Sequence, residues 1–543
     1  MPGKVRCGKS RPVVRLGECL AVIIGRLDAL TAMAQTLIFG NTGIVAPVDL
    51  RARHKAELII SLLLAASSEK RVPSTSVQGS SRESRMDRIL RKRQRCSNKS
   101  TTLRTDTESP MRAQSTSIHS LDRKPRILVA NAARQHSHQA ALALLEAGFL
   151  GCYAAGVPVS HGDLGAPWRA LVRRFSSGYE ELPLLGELTR VNMVNRIHNR
   201  LFRRYLPGFI GEPTYYQTHR MFDRWVAGLI ARDHFDAVIA YENSAVYTFR
   251  AAKKQSAKCI LDAADLHHIE QDRHYKSNLP SSCKARVDNF KDTEIGLADC
   301  IFAVSDFAAN SYRANIDPGK PVKVIPLGVD LDRFKPEPDQ ESGNFVPQVF
   351  TFAFVGSGTQ VKAFDVILDA MNILVSEGHF FKFLVAGVID RSFFAGRKNL
   401  EERICSFGMV NQRKLVSVFR SADCLLLPSR FDSFGMVVAE AMACGVPAIV
   451  SDMVGAKELI EEGHNGFIVP AGNCEALVER MRWCILNATA VRNMSIAARA
   501  AAERYSWANY RRRLLAAVWE VLSASSGLNQ PPGASIQKQS GRG

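Results

Sequence analysis

Short apolar runs, each followed by a segment with helical apolar spacing, recur along most of this chain. The first, 126–130, reads Arg-Ile-Leu-Val-Ala and predicts a buried strand. Residues 139–147 follow with helical spacing and stop at Gly148, and 152–155 predict a second strand. This is the β-α-β opening of a parallel sheet, and strands at 237–241, 258–261 and 300–304, with a helix at 247–255, continue it. A second series starts at 351–355. It adds strands at 381–386, 424–428 and 448–451 and helices at 364–377 and 415–420. Helices at 475–486, 490–504 and 507–522 close it. Between the series, 336–347 is polar with Pro, Gly and acids, which suits a linker. The expected class is α/β, with two Rossmann-like domains.

Residues 1–122 break the pattern. Positions 71–120 are rich in Ser, Thr, Arg and Gln, and such a segment buries too little apolar surface to offset its ordering entropy. A disordered, basic extension is expected. It also explains much of the charge: of the net +19, about +11 falls in these residues. Basicity therefore says little about the rest. The segment 88–95, Arg-Ile-Leu-Arg-Lys-Arg-Gln-Arg, could serve nucleic acid or anionic lipid. It has no interleaved aromatics on which bases would stack, so no nucleic-acid partner is expected. The 12 cysteines lack C-x-x-C spacing and predict neither a zinc site nor a disulfide framework. No apolar run reaches the ~20 residues needed to span a bilayer. The reading is cytoplasmic.

Two stretches carry chemistry. The segment 428–447, PSRFDSFGMVVAEAMACGVP, puts Asp432 in a Gly-containing loop and Glu440 on the helix that follows. A helix N-terminus offers unpaired N–H groups and a positive dipole end, which suit an anionic or hydroxyl-rich ligand. Gly435 lets the backbone approach that ligand. The competing reading is that Asp432 caps the helix. The second stretch, 355–362, runs Val-Gly-Ser-Gly-Thr-Gln-Val-Lys after a strand. Gly356, Ser357 and Gly358 free amides to face an anion, and Lys362 adds a point charge.

The 428–447 segment resembles the family-4, or group 1, retaining glycosyltransferases of the GT-B fold. Their frame is Pro-Ser…Glu-x-Phe-Gly…Glu-Ala-Met-Ala-x-Gly-x-Pro, with two Glu separated by seven residues. Asp432 replaces the first Glu on an arm one methylene shorter. The segment 323–336, with Lys-Val-Ile-Pro-Leu-Gly-Val-Asp and then Phe-Lys-Pro, is a second resemblance. The likeness implies that Asp432 and the amides of Ser433, Phe434 and Gly435 hold the sugar, and that Glu440 grips the ribose. It implies that Lys362 steadies the departing diphosphate and that His267, in the stretch Asp-Ala-Ala-Asp-Leu-His-His-Ile-Glu at 262–270, lies near the sugar. Ser357 stands where the family has Arg, so one positive charge is missing; Arg430 is the candidate replacement. Ser305, and Gly455 with Glu458, match loops beside the cleft. No cofactor and no metal are implied; the nucleoside diphosphate sugar is the donor substrate.

The implied organisation is an extension over 1–122, an acceptor domain over 123–336 and a nucleotide-sugar domain over 337–505. A helix at 506–523 crosses back to the first domain, and 524–543 form a loose tail. The implied reaction is hexosyl transfer, with retention, to a glycan or lipid-linked acceptor, as in polysaccharide or lipopolysaccharide assembly. A lipid-linked acceptor entails peripheral contact at the inner membrane face. The rivals are a non-catalytic binder of nucleotide sugar or glycan, motivated by Ser357 and Asp432, and a nucleotide-sugar epimerase of the same fold.

Overall fold

The structure is a computed structural model that describes residues 124–157, 182–192, 208–337 (save 276 and 278), 349–394 and 397–524. The extension expected over 1–122 lies outside them, as do most of the linker and the tail from 525.

Two parallel sheets organise these residues. The first runs β3-β2-β1-β4-β5-β6-β7, built from β1 (Ile127–Asn131), β2 (Leu150–Ala155), β3 (Thr189–Val191), β4 (Ala237–Tyr241), β5 (Lys258–Ala263), β6 (Cys300–Ala303) and β7 (Val322–Val324). Its helices are α1 (Ser137–Glu146), α2 (Gly208–Ile230), α3 (Val246–Lys253), α4 (His268–His274), α5 (Ser281–Leu297) and α6 (Asp306–Arg313). Strands β1, β4 and β6 are buried throughout, as expected for a sheet covered on both faces.

The second sheet runs β10-β9-β8-β11-β12-β13. Its strands are β8 (Thr351–Val355), β9 (Lys382–Ala386), β10 (Ile404–Gly408), β11 (Cys424–Leu427), β12 (Ala448–Ser451) and β13 (Gly466–Val469). Around it lie α7 (Phe364–Ser376), α8 (Lys398–Glu401), α9 (Gln412–Arg420), α10 (Met436–Ala443), α11 (Cys474–Leu486), α12 (Ala488–Asn493), α13 (Ser495–Glu503) and α14 (Trp507–Ser523). The single helix expected at 490–504 is two, α12 and α13, broken at Met494.

Both sheets reverse their winding direction once, between β1 and β4 and between β8 and β11. In open α/β sheets a ligand crevice forms at such a point, outside the carboxyl ends of the strands. Helix α14 leaves the second domain and packs on α1 of the first. Arg511 bonds Gln139 at 2.8 Å and Glu146 at 3.2 Å, and Trp519 stacks on Phe149. One apolar cluster extends from β1 through Ile325, Val329 and Phe334 to α10, so the two halves share core. No described helix is long and apolar enough to cross a membrane.

Candidate active site between the two domains

The second sheet's reversal point carries both chemical stretches. After β8 the backbone turns at Gly356, where φ is 143°, and passes so close to Gly387 that a Cβ there would stand 1.8 Å from the Gly356 oxygen. The loop closes through the bonds from Ala363 N to Gln360 O and from Phe364 N to Thr359 O. Ala363 itself sits in the left-handed region at φ 52°, a conformation rare for a residue with a side chain. Lys362 stands immediately before this strained turn.

After β11 the chain runs through Asp432, held by a bond from its N to Met453 O and one from Gly455 N to its O, both 2.9 Å. Gly435, at φ 87°, turns the chain into α10, and a Cβ there would lie 2.7 Å from Val454. The fold thus brings Lys362 and Asp432 together: Nζ lies 2.5 Å from Oδ2. Asp432 does not cap α10. The cap position is Gly435, with no side-chain bond, and the second Asp432 oxygen accepts only a long 3.4 Å contact from Phe434 N.

The missing cation is not replaced by Arg430. Its guanidinium forms a two-pronged pair with Asp365, both bonds 2.8 Å, and also donates to Gln360 O. The expectation that Arg430 takes over fails because Asp365, at the start of α7, already uses its charge. Ser357 is exposed at the loop tip, but of the three amides expected to face an anion two are used within the sheet edge: Gly356 N donates to Ala386 O at 2.9 Å and Gly358 N to Val388 O at 2.8 Å.

Glu440 lies one turn into α10, half-buried. Its carboxylate makes no hydrogen bond among the described residues. Burial pushes its pKa up to about 7, with the Arg333 charge opposing. An under-satisfied carboxylate of this kind is poised to accept from a ligand's hydroxyls.

The first domain meets this surface at the carboxyl ends of β5 and β6. Ser433 Oγ donates to Ala264 O at 2.9 Å, and Ser305 Oγ donates to Ser433 O at 2.6 Å. Glu458 accepts from Asp306 N, the first residue of α6, at 2.8 Å, so this acid joins the domains. Asp265, next to Ala264, feels both Asp432 and Lys362, and burial first, then Asp432, raise its pKa. Sequence reading passed over Asp265 although it lies in the 262–270 stretch. The usable signal is its place just past a strand's carboxyl end.

His267 is buried, at 2% exposure. Its Nδ1 accepts from Ile269 N at 3.3 Å and caps α4, while its ring stacks on His268 and meets the edge of Tyr312. Burial lowers its pKa to about 4, so it is neutral at physiological pH. His136 pairs instead with Asp262, its Nε2 at 3.0 Å from one carboxylate oxygen. Groups that could hold a metal are His267, His268 and Asp292, and His268, Asp272 and Asp288. In the second group Lys284 already bridges the two carboxylates at 2.6 and 2.7 Å, supplying the cation.

Residues 337–501 match the family model described as Glycosyl transferases group 1. The chain is 28% identical over 226 residues to a D-inositol 3-phosphate glycosyltransferase of Nocardia farcinica, covering 38% of this chain and 50% of that protein. It is 31% identical over 199 residues to one from Catenulispora acidiphila, covering 33% and 46%. The chain thus spans about half the length of the curated relatives it matches. Among solved structures, sucrose-phosphate synthase of Thermosynechococcus elongatus superposes with a TM-score of 0.57 at 18% identity, over 74% of this chain and 100% of that one. Anabaena HepE in complex with UDP superposes with a TM-score of 0.51 at 17% identity, over 73% and 100%. These likenesses show the fold: two facing Rossmann-like domains of the GT-B type, the second carrying a segment similar to the group 1 glycosyl transferases.

Proposed function

We propose that the protein is a retaining glycosyltransferase that moves a hexosyl group from a nucleoside diphosphate sugar to a glycan or lipid-linked acceptor. The observation that carries this reading is the 2.5 Å contact between Lys362 and Asp432 at the reversal point of the second sheet, with the unsatisfied Glu440 carboxylate on the adjoining helix. The match of 337–501 to the group 1 transferases and the likeness to a fold that holds UDP in HepE support it.

In this reading Glu440 accepts from the ribose hydroxyls. Lys362 swings from Asp432 to the diphosphate, against which the Ser357 amide also faces, while Gly356 N and Gly358 N stay bonded to Ala386 O and Val388 O. Asp432, relieved of its partner, accepts from sugar hydroxyls beside the amides of Ser433, Phe434 and Gly435. The anomeric carbon–oxygen bond breaks with its electron pair passing to the diphosphate. The acceptor oxygen bonds to the same face of that carbon, and its proton passes to the departing phosphate oxygen. His267, neutral and held as a cap, acts through the position of the Ala264–Asp265 backbone beside the sugar. A cation on the leaving group is worth several kcal/mol in such a transition state.

The test is turnover with a panel of UDP- and GDP-sugars, scored for donor hydrolysis and for transfer, on the full chain and on a chain lacking residues 1–110. Donor cleavage with retained configuration, unchanged by the deletion, is expected. No turnover and no nucleotide binding would remove the reading.

One observation favours a second reading, a nucleotide-sugar binder without catalysis. Lys362 and Arg430 are both ion-paired and Ser357 supplies no charge, so stabilisation of a leaving diphosphate depends on Lys362 exchanging partners. That reading requires nucleotide affinity lost in Glu440→Ala, with no turnover in the wild type.

A further inference from the structure

Away from the interdomain surface, helices α2, α3 and α5 of the first domain enclose an open pocket of about 430 Å³. Four arginines line it: Arg220 and Arg224 from α2, Arg250 from α3 and Arg286 from α5. No Asp or Glu is among the lining residues, and none of the four arginines forms an ion pair among the described residues. Asp223 is within electrostatic reach of Arg224, but its two oxygens accept from the amides of Tyr247 and Thr248 at 2.8 and 2.7 Å. Four like charges around one cavity repel one another and destabilise the empty site.

The walls fix three of the four guanidinium groups in place. Arg220 lies over the Phe290 ring at 4.8 Å, and Arg224 lies over Tyr247 at 4.7 Å and donates to its hydroxyl at 2.9 Å. Stacking of this kind orders the planar fork while leaving its other N–H groups outward. Arg286 is steadied by Ser282 O at 3.2 Å, and Arg220 by Arg286 O at 3.3 Å. Several half-buried arginines elsewhere in the structure pair with acids: Arg126 with Asp233, Arg482 with Glu377, Arg397 with Asp369.

We propose that this pocket is a binding site for a multiply charged phosphate ester, one with at least two phosphoryl groups. Planar guanidinium forks bind phosphate oxygens two at a time, and four of them suit two adjacent phosphoryl groups better than one carboxylate. A soluble diphosphate and a phosphorylated lipid headgroup both carry this charge; the chemistry recognised is the same. The proposal does not rest on the transferase reading, since no lining residue belongs to the interdomain site.

The test is titration calorimetry of the full chain with inorganic pyrophosphate at low ionic strength, with the interdomain site removed from the signal by Lys362→Ala. Binding is expected to survive Lys362→Ala. It should weaken at least about tenfold in Arg250→Glu/Arg286→Glu, and by a smaller factor in Arg250→Gln/Arg286→Gln. Both positions are exposed, and both variants relieve repulsion among the four arginines, so the melting temperature should not fall. A second arm measures co-sedimentation with phosphatidylcholine vesicles containing cardiolipin. Loss of sedimentation in the charge-reversal variant assigns the site to a lipid headgroup, and loss of pyrophosphate binding alone assigns it to a soluble ester. Absence of pyrophosphate binding in the Lys362→Ala protein, or equal affinity in the charge-reversal variant, overturns the proposal.

Discussion

Lys362 Nζ rests 2.5 Å from Asp432 Oδ2, across 70 residues of sequence. Each side chain leaves the carboxyl end of one of two neighbouring strands, β8 and β11, at the one place where the second sheet reverses its winding. The contact is therefore a product of topology. The two parts of the pair are also unequal in exposure: the lysine is 30% accessible and the aspartate 16%. A cation held this loosely can change partners when a stronger anion arrives.

Partner exchange has a kinetic signature. Lys362→Ala and Asp432→Ala should each lower kcat/KM for donor cleavage by about a hundredfold, and the double variant should lose little more, because the residues act as a unit. Folding stability should change by less than about 1 kcal/mol, since a partly exposed pair contributes little. Donor hydrolysis and urea unfolding of the three variants measure both. Multiplicative losses in the double variant would mean that the two side chains act independently.

Glu440 sets a pH dependence. Burial raises its folded pKa from 4.5 to about 7, so the folded state holds this proton more tightly than the unfolded chain. The stability it contributes is complete below about pH 4.5 and is lost as pH rises through about 7. Glu440→Gln should remove that slope and stabilise the protein at pH 8 by on the order of 2 kcal/mol, with no gain at pH 4.5. Nucleotide affinity should fall in the same variant. Thermal melts across this pH range, with nucleotide titration at pH 8, check both. Glu242, likewise raised to about 7 by burial, keeps part of the slope in the variant.

Asp262 and His136 form a buried pair that ties the loop after β1 to the end of β5 and underlies α14. Their contact is 3.0 Å, and the rings of Tyr241 and Tyr510 meet the imidazole edge-on. Asp262→Ala leaves the imidazole without its acceptor in a dry site. It should cost about 3 kcal/mol and expose α14 to proteolysis. Urea unfolding and limited digestion followed by mass analysis would register it. An unchanged midpoint would show that the pair is not needed to hold the crossing helix.

Most of the central strands were legible because burial on both faces makes them unbroken apolar runs; β4, β8 and β12 match their expected limits residue for residue. Edge strands were not legible. β10 reads Ile-Cys-Ser-Phe-Gly, half exposed, and β3 is three residues with polar neighbours, so neither carries an apolar run. The long helices α2 and α5 were passed over too, since their sequences mix charged and apolar residues without a clean stripe. At the site, motif spacing pointed to Lys362 and Asp432. The pairing of Arg430 with Asp365 was hidden, because it depends on how α7 docks beside the 428–435 loop. The role of Glu458 was hidden for the same reason: its partner, Asp306 N, lies 152 residues away on the other domain.

The surface between the domains has no spare room at Gly455. A Cβ there would stand 2.2 Å from Ser433 O and 2.6 Å from Ser305 Oγ, the two atoms that bond across the domains. Backbone on one side and a capping serine on the other cannot both yield: Ser305 also accepts from Ala308 N at 3.0 Å to start α6. Gly455→Ala must therefore push the first domain away from the Asp432 loop. It should cost about 1–3 kcal/mol. It should also lower kcat/KM for the donor, since Ala264 and Asp265 move with that domain. Ser305→Ala removes one cap and one interdomain bond without adding bulk, so it should cost about 1 kcal/mol and leave the domain spacing intact. Small-angle scattering together with donor kinetics separates the two variants. An expanded Gly455→Ala protein with impaired kinetics beside a compact, active Ser305→Ala protein fits the steric account. Equal kinetics in both would show that the spacing of the domains does not govern the chemistry at Lys362 and Asp432.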